Sequence, residues 1–181
     1  MALLRVKHAD FACWQIAKRR KVMKLTLKKI LALVGGGLAV IAFIMAFVSP
    51  LKVVGSNDTA PAMDVWFGND FVDGTIIPFI AFIVALLAGA YLIVRQFITI
   101  PADKKLFWVA IALLVVAAIV IFLTETFFIL TIVKDVPAAY KDEAIKAYGE
   151  LYALNIGAIL GAILAIAAAA VSFVAEKFIK D

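Results

Sequence analysis

Four long apolar blocks separated by short polar segments constrain this chain more than any other feature of its sequence. A hydrocarbon core about 30 Å thick is crossed by about 20 helical residues, each rising about 1.5 Å. The first block, Ile30 to Pro50, follows Lys28-Lys29 and spans roughly 31 Å as a helix. The second runs from Ile76 to Ile98, entered through Asp73-Gly74 and carrying Arg95 near its end. The third, Leu106 to Val133, follows a turn at Thr99-Ile100-Pro101. Pro101 marks a helix start, because its missing N–H would be unpaired in a first turn anyway. The fourth block is Leu151 to Ala175. With 66% hydrophobic and 17% charged residues in a chain of 181, this apolar mass exceeds what one globule can bury. The expected fold class is an all-α integral membrane protein with four transmembrane helices.

Lys and Arg set the expected orientation. Nine of them, from Arg5 to Lys29, precede the first block and are opposed only by Asp10. The second connection, residues 99–105, holds Lys104 and Lys105 close to Arg95, and the tail, 176–181, holds Lys177 and Lys180. The first connection, 51–75, sets Lys52 against Asp58, Asp64, Asp70 and Asp73, and the third, 134–150, is acidic on balance. Positive charge stays on the cytoplasmic side, so both termini are expected inside and the two acidic connections outside, in a multi-pass protein of the plasma membrane. The basic segment 1–29 is expected to attract anionic lipids, and nucleic-acid binding is not expected despite a net charge of +5. Met23 followed by Lys24, Lys28 and Lys29 also resembles a start, but the apolar block exceeds the about 7–15 residues of a signal peptide, so an uncleaved anchor is expected. Leu3, Leu4, Phe11, Trp14 and Ile16 among basic residues make an N-terminal interfacial helix the reading of residues 1–22, with a disordered basic tail as the alternative.

In the third connection Pro137 opens a segment where Tyr140, Ala144, Tyr148 and Tyr152 recur every four residues. That spacing predicts a helical extension of the fourth span, its tyrosines at headgroup level and a bend at Gly149.

Glu125 is the one ionisable residue well inside a predicted span, roughly 12 Å below the outer face when counted from Val133. A charge in hydrocarbon costs at least about 2.5 kcal/mol, which makes it a candidate site. Asn155 falls at a similar depth on the next helix and is its expected partner, with Thr126 or Tyr152 as substitutes. The group reads either as an ion or proton site or as a hydrogen-bonded acid that fixes helix packing. The fourth span also carries small residues every four positions: Gly149, Ala153, Gly157, Gly161, Ala165 and Ala169. Such a stripe lets another backbone approach, either within the bundle or from another subunit. Ala81, Ala85 and Gly89 form a shorter version.

Enzymatic chemistry finds few residues. One histidine, His8, and one cysteine, Cys13, cannot build a zinc site, and Ser49, Ser56 and Ser172 have no base nearby in sequence. The outer aspartates lack calcium-loop spacing. No metal, cofactor or enzymatic activity is expected. Asn57-Asp58-Thr59 matches a glycosylation sequon, and Cys13 is a candidate for acylation. Four spans with a larger first outer connection containing Trp66-Phe67-Gly68 resemble claudin-type tetraspan proteins in layout. That family's paired cysteines after the tryptophan are absent, so the resemblance implies topology and carries no residue across. The expected role is a structural or accessory subunit that associates with itself or another membrane protein. The alternatives are an ion- or proton-coupled transporter or channel using Glu125, and a claudin-like adhesion or barrier protein.

Overall fold

The computed structural model describes residues 27–70, 72–98 and 100–179. The expectations about residues 1–22, Met23 and Cys13 lie outside them. Four helices are long and apolar enough to cross a membrane: α1 (Leu27–Phe47), α3 (Ile76–Val94), α4 (Asp103–Phe122) and α7 (Ile156–Phe178). Between them stand β1 (Leu51–Val53), β2 (Thr59–Ala60), α2 (Ala62–Phe67), α5 (Thr124–Ile132), α6 (Ala138–Leu151) and β3 (Tyr152–Leu154).

The long helices form a ring. α4 packs along both α3 and α7, while α1 closes the circle against α3 and α7. Lipid gives helices no hydrophobic reason to associate, so they gain by close van der Waals contact, and small side chains permit it. Ala42, Ala118 and Ala165, from α1, α4 and α7, meet in one buried cluster. Gly36 and Gly89 bring the backbones of α1 and α3 so close that a Cβ on Gly89 would stand 3.0 Å from the Gly36 carbonyl oxygen. Ile80, Leu87, Val116, Ile119, Ile163 and Ile166 remain exposed on the outside of the ring, where a bilayer would cover them.

The run from Leu106 to Val133, about 42 Å as one helix, overshoots a bilayer and folds as two. At Leu123 the backbone N–H is shared between the carbonyls of Ile119 and Val120, and the buried Thr124 hydroxyl donates to Ile121 O at 2.6 Å. A threonine bonded back to the preceding turn bends a helix in this way. α4 keeps the length of a membrane crossing, and α5 continues beyond it.

The all-α expectation omits a small sheet at the end of the bundle where α1 finishes and α7 begins. Its order is β2-β1-β3, with both pairings antiparallel: Leu51 faces Ala60 and Leu154, and Lys52 faces Thr59 and Ala153. The first connection, expected only as an acidic outer segment, is thus folded. Its anchor is Trp66, 1% exposed, whose Nε1–H donates to Ala46 O at 2.7 Å. The indole packs on Phe79 and Phe82, so α2 is clamped onto the ends of α1 and α3.

The fourth helix also departs from expectation. It starts at Ile156, not Leu151, and the chain breaks at residues 152–155, not at Gly149, which lies within α6. β3 places its backbone groups in the ladder with β1, and Asn155 N–H donates to Pro50 O at 2.8 Å. These partners satisfy the backbone as well as a helix would, so tertiary pairing overrides local helical spacing. Tyr152 therefore leaves the predicted tyrosine face.

Candidate functional site

The polar groups of the bundle gather at its two ends. At the sheet end, Glu125 occupies the first turn of α5, just beyond Phe122. Its Oε2 accepts from the backbone N–H of Leu154 at 3.2 Å. Leu154 belongs to the strand paired with β1, so the acid stands level with the sheet, at the end of the bundle and not deep within a span. The expected pairing with Asn155 is displaced by one residue and moves from side chain to backbone. Asn155 precedes α7 in extended conformation without a side-chain capping bond, and Thr126 is exposed. Tyr152 does come near, its ring set edge-on to Phe128 at 5.3 Å. Those two rings, with Asp64 and Asn69, line a pocket of about 110 Å³ between α2, α5 and β3.

What Glu125 does there is tie α5 to the strand that precedes α7. Glu125→Gln retains an acceptor for the Leu154 N–H and is expected to melt with the parent protein. Glu125→Leu leaves that partly buried donor unpaired and should cost about 1–2 kcal/mol. Thermal unfolding in detergent, followed by loss of monodisperse protein, checks the pair, and equal melting of both variants would remove Glu125 from this role.

The small-residue stripe is used up inside the ring. Gly157, Gly161, Ala165 and Ala169 are all buried. Gly157 abuts the backbone of Val48 and Ser49, and Gly161 abuts the Phe82 ring. Ala153 does not join them, because it lies in β3 opposite Lys52. The shorter stripe Ala81, Ala85 and Gly89 is buried as well.

The opposite end holds a constellation that the sequence analysis treats only as an orientation signal. The Arg95 side chain, 8% exposed, donates to Asp103 Oδ2 at 2.7 Å and to Glu176 Oε2 at 3.2 Å. Its guanidinium lies over the Phe107 ring, 4.4 Å from the centroid. The Tyr91 hydroxyl donates to Asp103 Oδ1 at 2.8 Å, and Lys28 approaches Glu176 at 3.8 Å. One arginine thereby links α3, α4 and α7, and Glu176 extends the network to α1. The planar fork of arginine suits two carboxylates at once, and stacking on an aromatic face suits it too. The signal available in sequence is that Arg95, Asp103 and Glu176 all fall at helix ends on one side of the bundle. Around the sheet, Lys134 meets Asp73 at 2.7 Å, and that hydrogen bond and charge hold its ammonium above the usual lysine range. Both partners are exposed, so this pair contributes little. Among the described residues no cluster of His, Cys, Asp and Glu has the makings of a metal site.

The fold is a helix bundle with a folded cap at one end and an ion-pair node at the other, and its four long helices are each long and apolar enough to cross a membrane. Comparison of the chain with protein-family models, with curated proteins and with solved structures gives no match.

Proposed function

We propose that this chain is a structural or accessory subunit of the cell membrane, with both termini cytoplasmic, presenting its sheet-and-α6 cap outside to another membrane protein or a second copy. The observation that carries this reading is the character of the interior. Among the described residues, the buried polar residues are Thr75, Thr124 and Ser172, and the one ionisable side chain buried as deeply, that of Arg95, is neutralised by Asp103 and Glu176 at the end of the bundle. A conducting or carrier path needs a polar or charged lining, and the acid on which such a path would rest sits at the end of the bundle. α6 supports the partner. Its 14 residues include none that is buried, and Tyr140 and Leu151 are exposed on it. The basic count around Lys28, Lys29, Arg95, Lys104 and Lys105 supports the orientation.

Single cysteines in a Cys13→Ser background test both parts. Ser56→Cys and Ala139→Cys are expected to react with a membrane-impermeant maleimide on intact cells, and Lys104→Cys only after permeabilisation. Armed with a photoreactive maleimide, Ala139→Cys should give a discrete higher-mass adduct in native membranes, while Ile166→Cys on the outer face of α7 should not. Labelling of position 104 from outside inverts the orientation. Absence of any adduct from position 139 removes the accessory reading.

A further inference from the structure

The exposed side chains of the cap are of two kinds. On the β1–β2 hairpin and on α6 they are largely polar, with Lys52, Asn57 and Asp58 on the first and Asp142, Glu143 and Lys146 on the second. On α2 and α5 they are not. From Ile119 through Ile132, across the bend at Leu123, the exposed residues are Ile119, Phe122, Leu123, Thr126 and Leu130, and none is charged. Glu125, the acid of that stretch, is turned to the Leu154 N–H. In α2, Ala62, Val65 and Trp66 are buried, while Met63 and Phe67, one helical turn apart, are about half exposed. Single exposed apolar residues are ordinary, but two elements that expose no charge beside a charged helix and hairpin face a different solvent.

These faces are continuous with the outside of the long helices. Phe67 stands edge-on to Phe79 of α3 at 5.2 Å, Phe79 to Phe47 of α1 at 6.5 Å, and Phe47 to Phe43 at 5.5 Å. A row of rings without a polar atom thus leads from α1 across α3 onto α2. Charge marks where the apolar surface ends. α5 packs against α3, and Lys134, just beyond α5, meets Asp73, three residues before α3, at 2.7 Å. The far end of α5 is therefore brought back toward the level at which α3 begins, instead of standing clear of the bundle. Gly74, the residue after Asp73, abuts the Phe67 backbone, so the end of α2 lies at that level too. The ammonium and the carboxylate are both more than half exposed, and such groups belong outside hydrocarbon.

We propose that α2 and α5 form a collar that binds the lipid surface, lying in the boundary layer of the bilayer on the cap side. Met63, Phe67 and Leu130 sit among acyl chains, the Asp73–Lys134 pair sits among headgroups, and the hairpin and α6 stand in water. Short helices with one apolar face settle at this depth. The collar rests on the reading that the four long helices cross a bilayer, and not on the accessory role. Its test uses the full chain in a Cys13→Ser background, reconstituted in phosphatidylcholine liposomes with one nitroxide label per variant. Met63→Cys, Phe67→Cys and Leu130→Cys report the collar, Ile119→Cys the outside of a span, and Ala139→Cys the exposed start of α6. Power saturation compares collision with oxygen, which concentrates in lipid, with collision with a water-soluble nickel chelate. Oxygen should prevail severalfold at 63, 67 and 130 and more strongly at 119, and the ratio should reverse at 139. Met63 makes no ring contact, so it reports the α2 face even if a label at 67 disturbs the packing on Phe79. Nickel prevailing at 63 and 67, or at 130, while oxygen prevails at 119, overturns the collar and leaves the spans in place. Protection from both reagents at these positions also overturns it, because a second copy of the chain then covers the faces. Nickel prevailing at 119 overturns the membrane crossing itself, and the collar with it.

Discussion

Gly157→Ala is expected to destabilise the bundle by about 2–3 kcal/mol, roughly 5–10 °C in melting temperature. A Cβ at Gly157 would meet the Val48 carbonyl oxygen and stand 2.8 Å from the Ser49 carbonyl oxygen. Both obstacles are backbone, so no rotamer change makes room. The same shift would pull the Gly157 N–H from Ser49 O, to which it donates at 3.3 Å, and strain the neighbouring bond from Asn155 to Pro50. Gly161→Ala meets the Phe82 ring instead, a side chain with some capacity to turn, and its loss should be smaller. Gly37→Ala supplies the control: nothing lies within 4 Å of its Cβ, so helix propensity alone acts and stability should hold or rise slightly. Ile159→Leu, on the exposed side of α7, should also be neutral. Thermal melts of the four variants in one detergent decide the matter. If Gly157→Ala and Gly37→Ala melt together, α7 does not seat on the end of α1 as described.

Removal of the arginine at the other end should cost a similar amount. Arg95→Leu leaves Asp103 and Glu176 facing each other without their shared cation and strips the guanidinium from Phe107. Breaking a fully buried pair costs about 3–5 kcal/mol. The two carboxylates are 34% and 29% exposed, so water relieves part of the penalty and about 2–3 kcal/mol is expected here. Arg95→Lys keeps the charge but loses the fork, and should fall between. The diagnostic variant combines Arg95→Leu with Asp103→Asn and Glu176→Gln. If most of the loss comes from stranded carboxylates, neutralising them should restore much of the stability, whereas independent contributions would make the triple variant the worst of the series. Additive losses would show that the node is not a coupled unit.

The four long helices were legible because lipid imposes a rule on composition: about 20 apolar residues per crossing, since backbone groups must be satisfied within the segment. The packing stripe was legible for a related reason, as small residues every four positions have one main use in an apolar helix. Other features were out of reach. Ala153 has the spacing of the stripe, yet pairs with Lys52 in a sheet, because strand β1 lies a hundred residues earlier in the chain and no local pattern announces that meeting. Glu125 looked intramembrane because depth was counted from Val133 along an unbroken helix. The bend at Leu123 and the bond to Leu154 set it level with the sheet instead.

The sequence by itself therefore determined the number of long helices, their apolar character and which of their residues are small enough to lie inside. Only the tertiary structure decided the folded cap around Trp66, the break before Asn155, the partner of Glu125 and the convergence of Arg95, Asp103 and Glu176. The physical reason is range: apolar length and small-residue period are written within one helix, whereas a backbone ladder or a bridging guanidinium exists only once distant segments have docked.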